Sequence, residues 1–236
     1  MAEAVIIGGG ISGIAAAIEL KSLCPSLDVT VLEKNDRILK KLAVSGNGQG
    51  NLSNENICRS RYHGKNIHYF ENVTENFNFA SFAEKLTLDT AILQKGRIYP
   101  ASLKAASVCD LLRFTAEMLK VTITTSASVE KIEYNDKYTV IYKYGENITS
   151  MSADYIICAT GGASGKNLGT DGSAYQLYKN LGHTVTALYP SLVQLKTELD
   201  AIRVLKGVKF NCSVKLYSDN TLIKQSEGEI LFTEYG

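Results

Sequence analysis

The sequence predicts an α/β protein: a parallel sheet covered by helices, crossed by a three-stranded β meander, with the start of a second β-rich domain behind it. Three observations support this. The apolar run Ala4-Val5-Ile6-Ile7 leads straight into glycines and then into apolar residues at helical spacing, which is how a β-α-β unit opens. Runs rich in β-branched residues recur between 121 and 158, separated by turn residues, as in a meander. A last pair of such runs flanks Ser218-Asp219-Asn220.

In chain order, the first run suits a strand buried on both faces of a parallel sheet, because no polar residue interrupts it. Gly8-Gly9-Gly10 follows, then Ile11, Ile14, Ala15 and Ile18 on a helix through about Leu23. Beyond Pro25, Asp28 to Glu33 reads as a second strand, parallel to the first because such crossovers are right-handed. From Asn35 to about Arg61 no apolar period is sustained, so a long loop is expected, with at most a short helix near Ile38 to Leu42; loops of this length are usually functional. Phe79, Phe82 and Leu86 mark a helix, and another starts near Ser102 with Ala105, Val108, Leu111, Leu112 and Leu119 on one face, so the middle third reads as helical cover. Val121 to Tyr134, Tyr138 to Tyr144 and Ser152 to Cys158 are the expected meander strands. A second glycine cluster, Gly161 to Gly172, leads to a helix over Ala174 to Leu181. Val208 to Tyr217 and Leu222 to Phe232 should form a hairpin.

Composition narrows the function. With 25 Lys+Arg against 24 Asp+Glu, the chain of 236 residues has no charge excess to attract a polyanion, which argues against nucleic-acid binding. Ala4 to Ile18 is too short and too glycine-rich for a membrane span, and no Lys or Arg precedes it as in a secretion signal. The cysteines, at 24, 58, 109, 158 and 212, are odd in number and contain no C-x-x-C pair, so neither a disulfide framework nor a zinc site is expected. A reducing cytoplasm is the expected location. His63 and His68 lack partners for a metal set and read as solvated. His183 reads as a helix-end residue, Cys158 as a buried small hydrophobe, and Ser164 and Ser173 lack the G-x-S-x-G pattern of a nucleophile elbow.

Gly8-Gly9-Gly10-Ile11-Ser12-Gly13 matches G-x-G-x-x-G. The first glycine permits the tight turn, the second lets phosphate approach the backbone, and the third lets helix pack on strand. The amides and dipole at the helix start then hold a pyrophosphate. The motif sits between a strand and a helix, and Glu33 follows twenty residues beyond Gly13 at the end of the second strand. That combination identifies a Rossmann-type dinucleotide site in which Glu33 accepts hydrogen bonds from a ribose diol, against NADP. NAD and FAD both present ADP and remain open on this motif. An NAD dehydrogenase normally brings its third parallel strand soon after the acid. Here the polar stretch Lys40 to Asn54 follows, and its amides, hydroxyls and lysines suit a pyrophosphate and a polyhydroxyl chain.

These residues, with several further segments, resemble the bacterial FAD-dependent flavoproteins described as aminoacetone-oxidase-like or bile-acid-reductase-like, within the glutathione-reductase type of flavin fold. The loop pattern of that family, roughly K-L-x-x-S-G-x-G-R-C-N-x-T-N, is met by Lys41, Leu42, Ser45, Gly46, Gly48, Asn51 and Asn54, with Ser53 for Thr. Further matches are Gly96 to Ser102, Ala159-Thr160-Gly161-Gly162, Gly169-Thr170-Asp171-Gly172, Gly182-His183, Pro190 to Val193 and Gly228 to Thr233.

The resemblance implies that Gly8, Gly10, Ile11, Ser12 and Gly13 hold the pyrophosphate and that Glu33 and Lys34 frame the adenosine ribose. It further implies that Lys41, Ser45, Gly46 and Asn51 border the flavin side, that the Val129 backbone pairs with adenine, and that Ala159, Thr160, Gly161 and Gly162 return against the cofactor. It implies an FAD-binding domain over 1–189 and the start of an inserted β-rich domain over 190–236, since family members continue further. The expected function is hydride transfer between a small organic substrate and FAD, with a nicotinamide or oxygen as redox partner. No side chain is singled out as catalytic and no metal is expected. The alternatives are a truncated nucleotide- or flavin-binding module without turnover unless a C-terminal segment is supplied and, less well matched, an NAD-dependent dehydrogenase. An open sheet edge in the last segment is expected to favour dimers or aggregation. Gln49-Gly50 departs from the family Arg-Cys, and a neutral amide cannot replace a guanidinium fork.

Overall fold

The computed structural model describes residues 2–62, 67–190, 194–198, 200 and 202–233. The chain divides into two compact units, Met1–Val185 and Thr186–Gly236. The first opens with β1 (Glu3–Ile7), α1 (Ile11–Leu23), β2 (Asp28–Leu32), α2 (Lys40–Val44) and the two-residue β3 (Ser53–Asn54). Then come α3 (His68–Glu75), α4 (Phe79–Lys85), β4 (Thr90–Leu93), β5 (Arg97–Pro100) and α5 (Ala105–Met118). It ends with β6 (Thr122–Thr124), β7 (Ala127–Asn135), β8 (Lys137–Tyr144), β9 (Asn147–Ala153), β10 (Tyr155–Cys158) and α6 (Tyr175–Asn180).

A parallel sheet in the order β10-β1-β2-β6 forms the centre. The apolar run of β1 is explained by its position between two strands and two cores. Val5 pairs with Thr30 on one side and Ile156 on the other. Successive side chains alternate between faces, and both faces are covered. Ala4 and Ile6 pack with Val29 and Val31 against Ile14, Ala17 and Ile18 of α1 and Val108, Leu112 and Ala116 of α5. Val5, Ile7 and Leu32 pack against Ile132, Val140 and Ala153 of the meander and Leu177 of α6. Each fully buried aliphatic side chain contributes about 1.5–3 kcal/mol. The turn from α1 into β2 is closed by Lys21, a buried lysine whose Nζ donates to the carbonyls of Pro25 at 2.7 Å and Leu27 at 2.8 Å.

Three expectations need correction. The run from Val121 to Tyr134 is two strands, not one, broken at Ser126, whose φ is 55° and whose amide donates to Asn35 O at 2.8 Å. Its first part, β6, joins the parallel sheet beside β2, and its second part is the first meander strand. The run from Ser152 to Cys158 likewise ends the meander at Ala153 and starts β10 at Tyr155. Between them, Asp154 Oδ2 accepts from the Glu3 amide at 2.9 Å and Oδ1 pairs with Lys137 Nζ at 2.7 Å. The meander is therefore β7-β8-β9. Finally, the middle third is not helical cover alone. Strands β3, β5 and β4 form a small antiparallel sheet, each strand too short to display a period.

The second unit contains the expected hairpin, β11 (Lys209–Ser218) and β12 (Thr221–Leu231), paired from Lys209 with Leu231 to Ser218 with Thr221. Asp219 and Asn220 have φ of 47° and 64°, the two left-handed positions that a tight hairpin turn requires and that Asp and Asn tolerate. His63 and the matched segment Ser191-Leu192-Val193 lie outside the described residues. Among the described residues no helix is long and apolar enough to cross a membrane.

Candidate dinucleotide site

A cavity of about 340 Å³ lies at the carboxyl ends of β1, β2 and β10, the place where open parallel sheets hold ligands. Its floor is the glycine loop. Gly8 has φ of 109°, and a Cβ there would stand 2.5 Å from Ala159 O. A Cβ on Gly13 would run into Gly8 O, so this glycine permits α1 to pack against the turn. Gly10 differs: no atom lies within 4 Å of where its Cβ would stand. Gly10 is also the N-cap of α1, no side chain caps that helix, and its first turn contains no acid. The first amides of a 13-residue helix thus have no intrahelical partner and a positive dipole end.

Glu33 sits beside this loop, buried at 7% exposure. Its Oε2 accepts from the Gly9 amide at 2.7 Å, and its Oε1 accepts from both the backbone amide of Asn35, at 2.8 Å, and the Asn35 side-chain amide. The carboxylate therefore fixes the glycine loop to the end of β2. Leu39 adds a second tie, donating its amide to Gly9 O at 2.8 Å.

A glycine-rich loop following β10 forms the opposite wall. Lys34 Nζ pairs with Asp171 Oδ1 at 3.0 Å, and Lys41 Nζ donates to Ser164 Oγ at 3.1 Å. Asp171 also accepts from the Ser173 hydroxyl at 2.6 Å and the Ser173 amide at 3.0 Å. These Ser173 bonds, and after them the Lys34 ammonium, hold the Asp171 carboxyl well below the usual carboxylate range. At the end of β10, Thr160 shares a short hydrogen bond with Tyr178 of α6.

Strand β7 is an edge of the meander. The Ala127 amide donates to Glu33 O at 2.9 Å, away from β8. Ala127 faces Tyr144 and Val129 faces Tyr142. The register of β7 against β8 shifts between Val129 and Lys131, an irregularity of the kind that leaves a residue unpaired in the ladder, and Val129 and Glu130 there line the cavity.

Of the sixteen site residues expected from the sequence, all but Gly13, Ser45, Gly46 and Asn51 line this cavity. Gly13 acts through its packing against the turn. The other three form one tight turn beyond α2. Ser45 Oγ donates to Leu42 O at 2.9 Å, the Gly50 amide donates to Ser45 O at 3.0 Å, and a Cβ on Gly46 would stand 2.8 Å from both Asn51 N and Tyr99 Cε1. Sequence reasoning did not place Asn35, Asp171 or Tyr178 at the site, and it weighed Ser164 and Ser173 only as nucleophiles. Asp171 lay within a matched segment, but nothing in the sequence shows that it meets Lys34. Among the described residues no three His, Cys, Asp or Glu side chains are grouped to hold a metal.

Over 234 residues the chain is 37% identical to a 3-dehydro-bile acid delta(4,6)-reductase of Clostridium scindens, an alignment covering 98% of this chain and 56% of that protein. It is 25% identical over 242 residues to a ribosomal RNA dihydrouridine synthase of Haemophilus influenzae, covering 99% of this chain and 58% of that protein. The chain thus spans 56% and 58% of the lengths of these two curated relatives. A solved 3-ketosteroid-delta4-(5alpha)-dehydrogenase from Rhodococcus jostii RHA1 superposes with a TM-score of 0.51 at 17% identity, over 68% of this chain and 46% of that one, which shows a common fold. The model of the HI0933-like protein Rossmann domain matches residues 2–232, nearly the whole chain, and the chain belongs to that family.

Proposed function

We propose that the cavity binds FAD by its ADP half, and that the protein is a flavin-dependent oxidoreductase passing a hydride between a small organic substrate and the flavin. The observation that carries this reading is the convergence of three complementary surfaces on one cavity. The uncapped start of α1 and the open space at Gly10 suit a pyrophosphate, Glu33 suits a ribose hydroxyl, and the edge of β7 at Val129, where the strand borders the cavity, suits an adenine edge. These three features support an adenosine dinucleotide as the ligand of the cavity. Gly8, Gly10, Ile11, Ser12 and Gly13 are assigned to the pyrophosphate, Glu33 and Lys34 to the ribose side, and Ala159, Thr160, Gly161 and Gly162 to the facing wall.

The choice of FAD over NAD rests on the topology of the chain beyond Glu33. The next parallel strand beside β2 is β6, and α2, the small antiparallel sheet and α3 to α5 intervene, whereas a nicotinamide-only Rossmann domain winds directly into its next strand. Similarity to a bile-acid reductase supports redox chemistry on an organic substrate. When bound, FAD would supply the hydride acceptor and donor. The chain itself binds and orients the cofactor and contributes dipoles at the pyrophosphate. We take residues 1–189 as the FAD-binding domain, 190–236 as part of a β-rich second domain, and a nicotinamide or oxygen as the redox partner. Five free cysteines suit a reducing compartment, and we place the protein in the cytoplasm.

The test is to load the purified chain with FAD, remove the excess, and add NADH or NADPH without oxygen. Bleaching of the flavin band is expected. Retained flavin that neither nicotinamide bleaches would rule out a nicotinamide as the redox partner and leave oxygen or a binding module without turnover, and retention of NAD in place of flavin would support a dehydrogenase.

A further inference from the structure

We propose that Glu33 reads a single ribose hydroxyl of its ligand, and that Asn35 is the positioning residue that limits it to one. The proposal rests on the reading of the cavity as an adenosine-dinucleotide site.

An ionised carboxylate has about four acceptor positions, two on each oxygen. In this chain three are filled from within. Oε1 accepts from both the amide and the side chain of Asn35, which saturates it, and Oε2 accepts from the Gly9 amide. One position remains, on Oε2, the oxygen nearer the glycine loop. A ribose diol offers two donors, and this carboxylate can serve only one of them. Asn35 is itself fixed at both ends. Its carbonyl accepts from Ser126 at 2.8 Å, and its side-chain amide lies against Gly169, where even a Cβ would collide. The backbone of Asn35 is thus held, and Gly169 closes one side of its side-chain amide, which stays against Oε1.

The test compares ADP, 2′-deoxy-ADP and 3′-deoxy-ADP by isothermal titration calorimetry on the wild-type chain, so that no variant has to fold. One deoxy analogue should bind about tenfold or more weakly, as expected for a lost hydrogen bond to a charged group, and the other within about twofold of ADP. Asn35→Ala keeps the backbone amide but frees one position on Oε1, and it should extend the loss to the second analogue. Equal losses for both analogues in the wild type, or no loss for either, would overturn the single-hydroxyl proposal while leaving the dinucleotide reading intact. An unchanged profile in a folded Asn35→Ala protein would overturn the role of Asn35. Failure of ADP itself to bind would remove the dinucleotide reading, and the proposal with it.

Discussion

Lys34 Nζ lies 3.0 Å from Asp171 Oδ1, which fastens the segment just beyond β2 to the loop that follows β10. Both side chains are about one-third exposed, so the pair itself adds little stability, up to about 1 kcal/mol. Its effect is local. Lys34→Ala is expected to leave the unfolding midpoint nearly unchanged but to reduce hydrogen-exchange protection across residues 161–173.

The same contact sets a pH expectation. The Asp171 carboxyl is held low by Ser173 first and Lys34 second. A depressed folded value means that the contribution is present above the unfolded value, about 3.9, and is lost as pH falls through the lower folded one. Exchange protection of the loop, corrected for intrinsic rates, should therefore persist at pH 5 and decline only in stronger acid. Asp171→Asn should show the weakened protection at every pH.

Glu33 is structural as well as ligand-facing. Glu33→Gln places an amide donor where Gly9 or Asn35 already donates, and one of those buried donors loses its acceptor. A cost of about 1–3 kcal/mol is expected in urea unfolding without ligand. Loss of ligand affinity in this variant consequently needs to be read beside its stability.

The glycines of the loop should separate into two kinds. Gly10 has φ of −73° and open space at its Cβ position, so Gly10→Ala should fold with near wild-type stability yet lose flavin, because the methyl occupies the approach to the helix start. Gly13→Ala should fail to fold or lose several kcal/mol, since its Cβ would meet the Gly8 carbonyl. Circular dichroism together with flavin retention distinguishes the two.

Gln49-Gly50 stands where the resembling family has Arg-Cys, and the structure gives a reason for the second residue. Gly50 has φ of 82° and is buried, with its Cβ position 3.1 Å from Ala105 Cα. Gly50→Cys should destabilise by about 1–2 kcal/mol through left-handed strain. Gln49 is exposed, and Gln49→Arg should change stability by less than about 0.5 kcal/mol. Thermal unfolding of the two single variants checks both.

Much of the fold and of the site was legible in the sequence because it rests on local chemistry. The run Ala4 to Ile7, the glycine spacing and Glu33 at the end of the second strand are each contained in one short segment. The features that escaped depended on single residues or distant partners. Ser126 splits an apparently continuous β run between two sheets by adopting φ of 55°, and β-branched composition does not reveal which sheet a strand joins. The meeting of Lys34 with Asp171 spans 137 positions, and no periodicity encodes it. Asn35 is two residues from Glu33, yet its role depends on both of its donors meeting the same carboxylate oxygen.

Flavin retention tests the assignment of the cavity most directly. The purified chain is incubated with FAD and passed through gel filtration, its absorbance spectrum is recorded, and heat-released cofactor is identified by chromatography. A flavin spectrum should elute with the wild-type protein and be lost in folded Gly10→Ala. A folded wild-type chain that elutes without flavin after saturating incubation, or a Gly10→Ala chain that retains it equally well, would contradict the assignment of this cavity.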